Sequence, residues 1–499
     1  MKIIIPMTGK SKRFKEDGVA LPKQFLPIGN KTMIEHTIDM FPNESDINFI
    51  VSKDDYKNKE LEKYFKILSK YKIVEIDYQS TGPGGAVIES KLLETDEAVL
   101  INYCDFSNIW DWKNFKDFIK INNPDGVIPA YVGLHPHSIY DNNYAFLKLK
   151  NNNVIGIQEK KPFTKDKMNE FASSGSYYFK SGLLAKKYID LSFKKKQFTN
   201  NEIYISTPYQ EMINDKLNIK VYEISHFFQW GTPEDYKEFI YCLEEVKNVE
   251  SKNKIALNNV NLLIPAAGES KRFRDENYDK SKIYLDVNGL SMIQNILKSF
   301  KEELTKYILI QDKDFSNKEF TGVKPSSIVK ISEKTEGQAE SALKLIEKIN
   351  NDKPLLIHSS DCILDKDTNI NIDNFDIVVY TKSNYRRAHE KKENYGWVNS
   401  KNKEIKSLSI KSSPESKDSN VIIGTFLFRN KEIYKDLYVD TKKNKSTGEI
   451  HIDHLVETAL KKGFLIKEVS SSKSIMLGIP VEYKLFNYMK NVYYYLKNK

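Results

Sequence analysis

The chain repeats itself, and that limits what it can fold into. Residues 3–14 read I-I-I-P-M-T-G-K-S-K-R-F, and residues 262–273 read L-L-I-P-A-A-G-E-S-K-R-F. Four more pairs follow in the same order. T-G-P-G-G-A around Gly84 faces T-E-G-Q-A around Gly337, and N-Y-C-D-F at Asp105 faces H-S-S-D-C at Asp361. S-S-G-S-Y-Y-F-K at Gly175 faces I-I-G-T-F-L-F-R at Gly424, and G-T-P-E-D-Y from Gly231 faces G-I-P-V-E-Y from Gly478. The separation drifts from 259 residues (Gly9 to Gly268) to 247 (Gly231 to Gly478). Collinear matches with slowly changing separation mark a duplication. The period is far longer than a solenoid repeat, so each copy is a whole domain. We expect domains over residues 1–245 and 260–499, joined by a polar linker over 246–259.

Within each copy, short apolar runs alternate with helical patterns. Residues 3–6, 47–52 and 98–102 read as buried strands, and residues 33–41 and 57–71 as helices. That order predicts an α/β fold with a doubly wound, mainly parallel, Rossmann-like sheet. Ligands on such sheets bind beyond the carboxyl ends of the strands, where Gly9 and Asp105 fall.

Composition narrows the function classes. The 499 residues are 40% hydrophobic and 29% charged, which excludes a disordered or fibrous chain. The net charge of +9, from 77 basic and 68 acidic residues, is spread along the chain, so no nucleic-acid partner is expected. Three cysteines are too few for a disulfide framework and lack metal-ligand spacing. No apolar run is long enough to span a membrane, and the chain enters a strand at Lys2 with no signal-peptide core. A cytoplasmic protein with no membrane partner is expected.

The loop Thr8–Phe14 follows a strand. Gly9 permits close backbone approach to a phosphate, and Lys12 and Arg13 would face a polyphosphate. The loop lacks the Walker A spelling. Pro22 stiffens the segment that presents Lys23, and Lys23 could hold a phosphate under attack. Asp105 closes a strand, where a carboxylate would bind Mg²⁺. His135 and His137 flank a proline without a third ligand in view and read as loop residues.

These motifs resemble the sugar-nucleotide pyrophosphorylases, that is, the sugar-1-phosphate nucleotidyltransferases. The resemblance spans residues 1–245 and recurs, degraded, over about 260–485. It implies a GT-A-type domain that joins an NTP to a sugar 1-phosphate or polyol phosphate, releasing pyrophosphate with Mg²⁺, as in surface-polysaccharide synthesis. It places Gly9 and its neighbouring amides around the nucleotide and Arg13 on the β- and γ-phosphates. It places Lys23 on the reacting phosphates and Asp105 on the metal. Gln79 would face a pyrimidine base, with Gly84 beneath it. Glu159 would contact acceptor hydroxyls, Lys160 or Lys161 the acceptor phosphate, and Gly175 the sugar.

Two departures stand out. Ser11 and Ser270 replace a second glycine of the loop, and Gln229 stands where the family places a second metal-binding Asp.

The second copy keeps Gly268, Lys271, Arg272, Lys282, Gly337, Asp361 and Lys411, and its N-Y-G-W at Gly396 faces N-Y-A-F at Ala145, the glycine form being closer to the family. It has Ser281 in place of Pro22, Ile410 in place of Glu159, and no carboxylate directly before Gly478. It reads either as a second transferase or as a duplicate kept for packing, homo-oligomerisation or ligand sensing. Two other classes compete for the protein: a glycosyltransferase using Asp365-Lys366-Asp367, and a non-catalytic nucleotide-sugar-binding scaffold.

Overall fold

The structure, a computed structural model, describes residues 1–77, 81–368, 373–383, 385–445 and 448–498. The chain divides into two compact units, Met1–Ile240 and Tyr241–Lys497. The division falls inside the helix Pro233–Glu250. That helix therefore covers residues 246–250, the start of the stretch read above as a linker. Val246 and Val249 are buried on it, which carries the helical pattern past the point where sequence polarity suggested an end.

In unit 1 the strands Lys72–Ile76, Ile47–Ser52, Lys2–Met7 and Val99–Asn102 lie side by side and parallel. Ser176–Phe179 pairs antiparallel with both Val99–Asn102 and Gly126–Tyr131. Ile219–Glu223 then runs parallel to Gly126–Tyr131. The hairpin Ala145–Lys150 and Asn153–Glu159 follows, with Phe171–Ser173 at the edge. The parallel strands thus form one side of a mixed sheet. The hairpin turns on Asn151 and Asn152, both with positive φ (50° and 61°), the conformation that matches strand twist and that Asn tolerates.

The apolar run at the N-terminus is buried on both faces. Ile3, Ile5 and Met7 join one core with Phe49 and Leu100, while Ile4 joins the other with Ile50 and Ile101. Side chains alternate along a strand, so an unbroken apolar run is what a sheet covered on both sides requires.

The helix expected over 57–71 is broken into Glu62–Phe65 and the 3₁₀ turn Lys66–Leu68. The Asn58 side chain accepts a hydrogen bond from the Glu60 amide (2.9 Å), a local turn that competes with helix initiation.

Unit 2 repeats the strand order. Ser327–Ile331, Thr305–Gln311, Asn261–Ala266, Leu355–His358, Asn420–Phe428, Ile377–Lys382, Ile466–Ser470, Glu404–Ile410 and Gly396–Lys401 lie in sequence across its sheet. The single strand Asn420–Phe428 occupies the place of the two strands that Gly175 separates in unit 1.

Candidate active site

A cleft of about 480 Å³ opens beyond the carboxyl ends of Lys2–Met7 and Val99–Asn102. Gly9, Lys12, Arg13, Lys23, Asp105, Glu159, Lys160 and Gly175 all line it. These residues come from separate stretches of sequence, and the sheet brings them together. Gly84 does not line the cleft. Its amide donates to the Ile203 carbonyl (2.9 Å), and Gly82 and Pro83 reach the cleft instead. Gln79 lies outside the described residues.

At one end, the loop after the first strand carries the cations. Ser11 adopts φ 50°, a left-handed conformation that is uncommon outside glycine. Its hydroxyl accepts the Lys23 amide at 3.0 Å. The serine thus makes the turn a glycine would make and also ties the loop to the lysine segment. Ser270 does the same in unit 2: φ is 52°, and the Lys282 amide donates to its hydroxyl at 3.0 Å.

At the centre, Lys23 Nζ lies 2.6 Å from Asp105 Oδ2. Burial pulls the Lys23 pKa down, but the adjacent Asp105 carboxylate outweighs it and leaves it raised. Gly231 passes directly behind the carboxylate. A Cβ there would stand 2.7 Å from Asp105 Oδ2 and 2.9 Å from Gln229 Nε2. Unit 2 repeats the arrangement with Lys282 and Asp361. Burial there favours a protonated Asp361, but Lys282 and the Ser359 hydroxyl outweigh it and lower its pKa.

At the far end, Glu159 closes a strand and accepts a hydrogen bond from Ser206 Oγ (2.5 Å). Burial raises the Glu159 pKa, opposed by Ser206 and Lys160. Lys160 has φ 57°, which turns it off the strand line, and its Nζ donates to Tyr204 Oη (2.9 Å). Lys161 is exposed and does not line the cleft. Of the two lysines left open by the sequence, Lys160 is the one the backbone turns into the cleft.

Tyr103, Tyr177, Glu202 and Tyr204 also line the cleft and were not found in the sequence. Tyr103 stands two residues before Asp105 and was within reach. The others offered no motif, because they meet the site only through sheet packing.

His135 and His137 are buried among aromatic rings, with His137 Nε2 2.7 Å from Tyr131 Oη. Among the described residues no group of three or more His, Cys, Asp or Glu side chains could hold a metal. All three cysteines are free and buried. Asp365 accepts from the Asp367 and Lys473 amides, and Asp367 pairs with Lys473 Nζ (2.8 Å). Both carboxylates of the D-x-D spelling are therefore engaged, by the Asp367 amide and by Lys473. No helix among the described residues is long and apolar enough to cross a membrane.

The nucleotidyl transferase family matches residues 2–238. Over these residues, a little under half of the chain, the sequence is similar to that family. Over 267 residues the chain is 25% identical to the bifunctional protein GlmU of Methanocaldococcus jannaschii. That match covers 52% of this chain and 58% of the relative, so the chain spans little more than half of the relative's length. A nucleoside-diphosphate-sugar pyrophosphorylase from Vibrio cholerae RC9 superposes with 21% identity and a TM-score of 0.39, covering 48% of this chain and 99% of its own. The inositol-1-phosphate CTP transferase from T. maritima superposes with 15% identity and a TM-score of 0.38, covering 47% of this chain and 96% of its own. The nucleotidyl transferase match ends at residue 238, and unit 2 is related to it through the internal repeat and the shared strand order.

Proposed function

We propose that unit 1 transfers a nucleotidyl group from an NTP to a phosphorylated sugar or polyol and releases pyrophosphate. The observation that carries this reading is the position of the Lys23–Asp105 pair. It sits in one cleft between a cationic loop and a Glu159–Lys160 corner.

The chemistry follows from that layout. An acceptor phosphate oxygen attacks the α-phosphorus in line, the bond to the β-phosphate breaks, and pyrophosphate departs. The nucleophile is already ionised, so no general base is required. Catalysis then consists of orienting two anions and neutralising developing charge. Lys12 and Arg13 hold the departing phosphates, Lys23 the phosphate under attack, and Lys160 the acceptor phosphate. Glu159 and the Gly175 backbone face the acceptor's hydroxyl-bearing end.

Mg²⁺ fits the donor set beside Asp105. This ion is commonly held by one or two carboxylates plus substrate phosphates, and Asp105 with the neutral Gln229 offers one carboxylate. Bound there, it would supply charge neutralisation at the phosphates. The preference for a pyrimidine nucleotide rests on Gln79 alone. The product class, an NDP-sugar or NDP-polyol, suits an activation step for surface-polysaccharide synthesis in the cytoplasm.

The test is pyrophosphate release by the full chain with Mg²⁺, screening nucleotides against sugar and polyol phosphates. Asp105→Ala is expected to reduce release by about 10²–10³-fold. Release that survives this change, or none from any pairing, would count against the reading. Asp361→Ala in parallel reports whether unit 2 contributes turnover.

A further inference from the structure

Unit 2 lacks the strand-end acid of unit 1: Ile410 stands where Glu159 does. The structure shows where a carboxylate has gone. Lys160 and Lys411 are equivalent: each follows the strand end with positive φ (57° and 49°), and each amide donates to a tyrosine carbonyl, Tyr144 or Tyr395. The next alignment is fixed by backbone bonds. Ile203 receives the Gly84 amide and donates to Thr81, while Ile450 receives the Ala339 amide and donates to Glu336. Counting from these isoleucines, Tyr204 corresponds to His451 and Ser206 to Asp453.

In unit 1 the acid is on the strand and the hydroxyl on the facing segment, Glu159 with Ser206. In unit 2 the facing segment carries the acid. A third position makes room for it. Ala145 lies opposite Glu159 in the strand register, and Gly396 lies opposite Ile410. A Cβ on Gly396 would stand 2.7 Å from Asp453 Oδ2, so a carboxylate here requires glycine at 396. Three positions differ between the two corners, and each corner has one carboxylate near its left-handed lysine.

The two corners differ in how their charges are used. In unit 1 the Glu159 and Lys160 side chains are bonded, to Ser206 and Tyr204. In unit 2, among the described residues, neither the Asp453 carboxylate nor Lys411 Nζ has a side-chain hydrogen bond or ion-pair partner. His451 Nε2 is buried without a hydrogen-bond partner among them, with Glu449 Oε2 3.8 Å away. The Lys411 charge nevertheless acts on both Asp453 and His451. A cation and a carboxylate with no side-chain partner, beside a ring nitrogen with no hydrogen bond, are the complement of a ligand with both phosphate and hydroxyl groups.

We propose that unit 2 holds its own site for a phosphorylated polyhydroxy ligand, with Lys411 on the phosphate and Asp453 accepting from a hydroxyl. The inference rests on the reading of the equivalent corner of unit 1 as acceptor-binding.

Hydrogen–deuterium exchange on the full chain tests both readings separately, because peptides over residues 153–160 report unit 1 and peptides over 404–411 and 450–460 report unit 2. The probes are glucose 1-phosphate, ribitol 5-phosphate and inorganic phosphate. We expect one of the two organic phosphates to slow exchange in the unit 2 peptides at lower concentration than inorganic phosphate does. Asp453→Ser should raise the concentration needed at least about tenfold, the scale of one hydrogen bond to a charged group. Adding Ile410→Glu and Gly396→Ala to Asp453→Ser rebuilds the unit 1 arrangement and should restore protection, which a merely unfolded variant would not. Protection of unit 1 without unit 2 would overturn this inference and leave the unit 1 reading standing. Protection of unit 2 alone would do the reverse. Equal protection by inorganic phosphate, or protection indifferent to Asp453→Ser, would remove the hydroxyl-binding role and with it the proposal.

Discussion

Lys23 Nζ rests 2.6 Å from Asp105 Oδ2 across 82 residues of sequence, and Lys282 meets Asp361 in the same way across 79. Both pairs are largely shielded from water, where an ion pair is held by geometry and by the cost of leaving one charge alone. The duplicated chain has kept this pair while changing the residues around it. Removing one partner from either pair should therefore be worse than removing both. In unit 1, Lys23→Met is expected to lower the unfolding midpoint more than Lys23→Met combined with Asp105→Leu, as read by urea denaturation.

Gly231 leaves no space behind Asp105. Gly231→Ala puts a methyl group 2.7 Å from the carboxylate oxygen, so the carboxylate must move. A displacement near 1 Å at a reacting centre costs up to about 10²-fold in rate. Pyrophosphate release should fall by about 10–10²-fold, with an unchanged circular dichroism spectrum.

The two adjacent lysines at the strand end separate by backbone conformation. Lys160→Met should raise the acceptor KM by about tenfold or more, the scale of one charge-assisted contact. Lys161→Met, on an exposed residue, should leave it unchanged. Steady-state kinetics with varied acceptor distinguishes them.

Gly396 and Asp453 are coupled by contact. Gly396→Ala alone should destabilise unit 2 by about 1–3 kcal/mol through overpacking. Combined with Asp453→Ser, most of that cost should vanish. A double-mutant cycle that shows simple additivity would contradict the contact.

His358 gives unit 2 an acid-sensitive core. Burial lowers its pKa from 6.5 to about 4, with the Cys362 carbonyl and Asp361 opposing. The neutral ring is held by Thr425 Oγ1 (2.8 Å) and the Cys362 carbonyl (2.9 Å). Below 6.5 the unfolded chain takes up a proton that the folded ring resists. Stability is therefore complete above about 6.5 and falls as pH drops towards about 4. His358→Gln should reduce the difference in denaturation midpoint between neutral and mildly acidic buffer. His135 and His451, also lowered by burial to about 4, would act in the same direction, as would the other histidines that burial lowers, His36, His226, His389 and His454.

Much of the site was legible because it is local. A buried strand followed by Gly9, Lys12 and Arg13, or ending before Asp105, reveals its place at a sheet edge through its own pattern. Gly84 was less legible. A glycine can serve ligand approach or close backbone packing, and only the Ile203 carbonyl 2.8 Å from its Cβ position identifies the second. Ser11 looked like the loss of a glycine and is instead a left-handed residue whose hydroxyl binds the Lys23 amide.

By itself, the sequence determined that the chain is a duplication of an α/β unit and which strand-end loops carry cations and acids. Both properties are written in short stretches of periodic pattern. The tertiary structure decided which of those charges meet. It placed Lys23 on Asp105, turned Lys160 rather than Lys161 into the cleft, and brought Asp453 near Lys411 although no aligned position announces an acid there. The physical reason is that a side chain's chemistry depends on where its tip lies. In a sheet protein, that position is set by strands far apart in sequence.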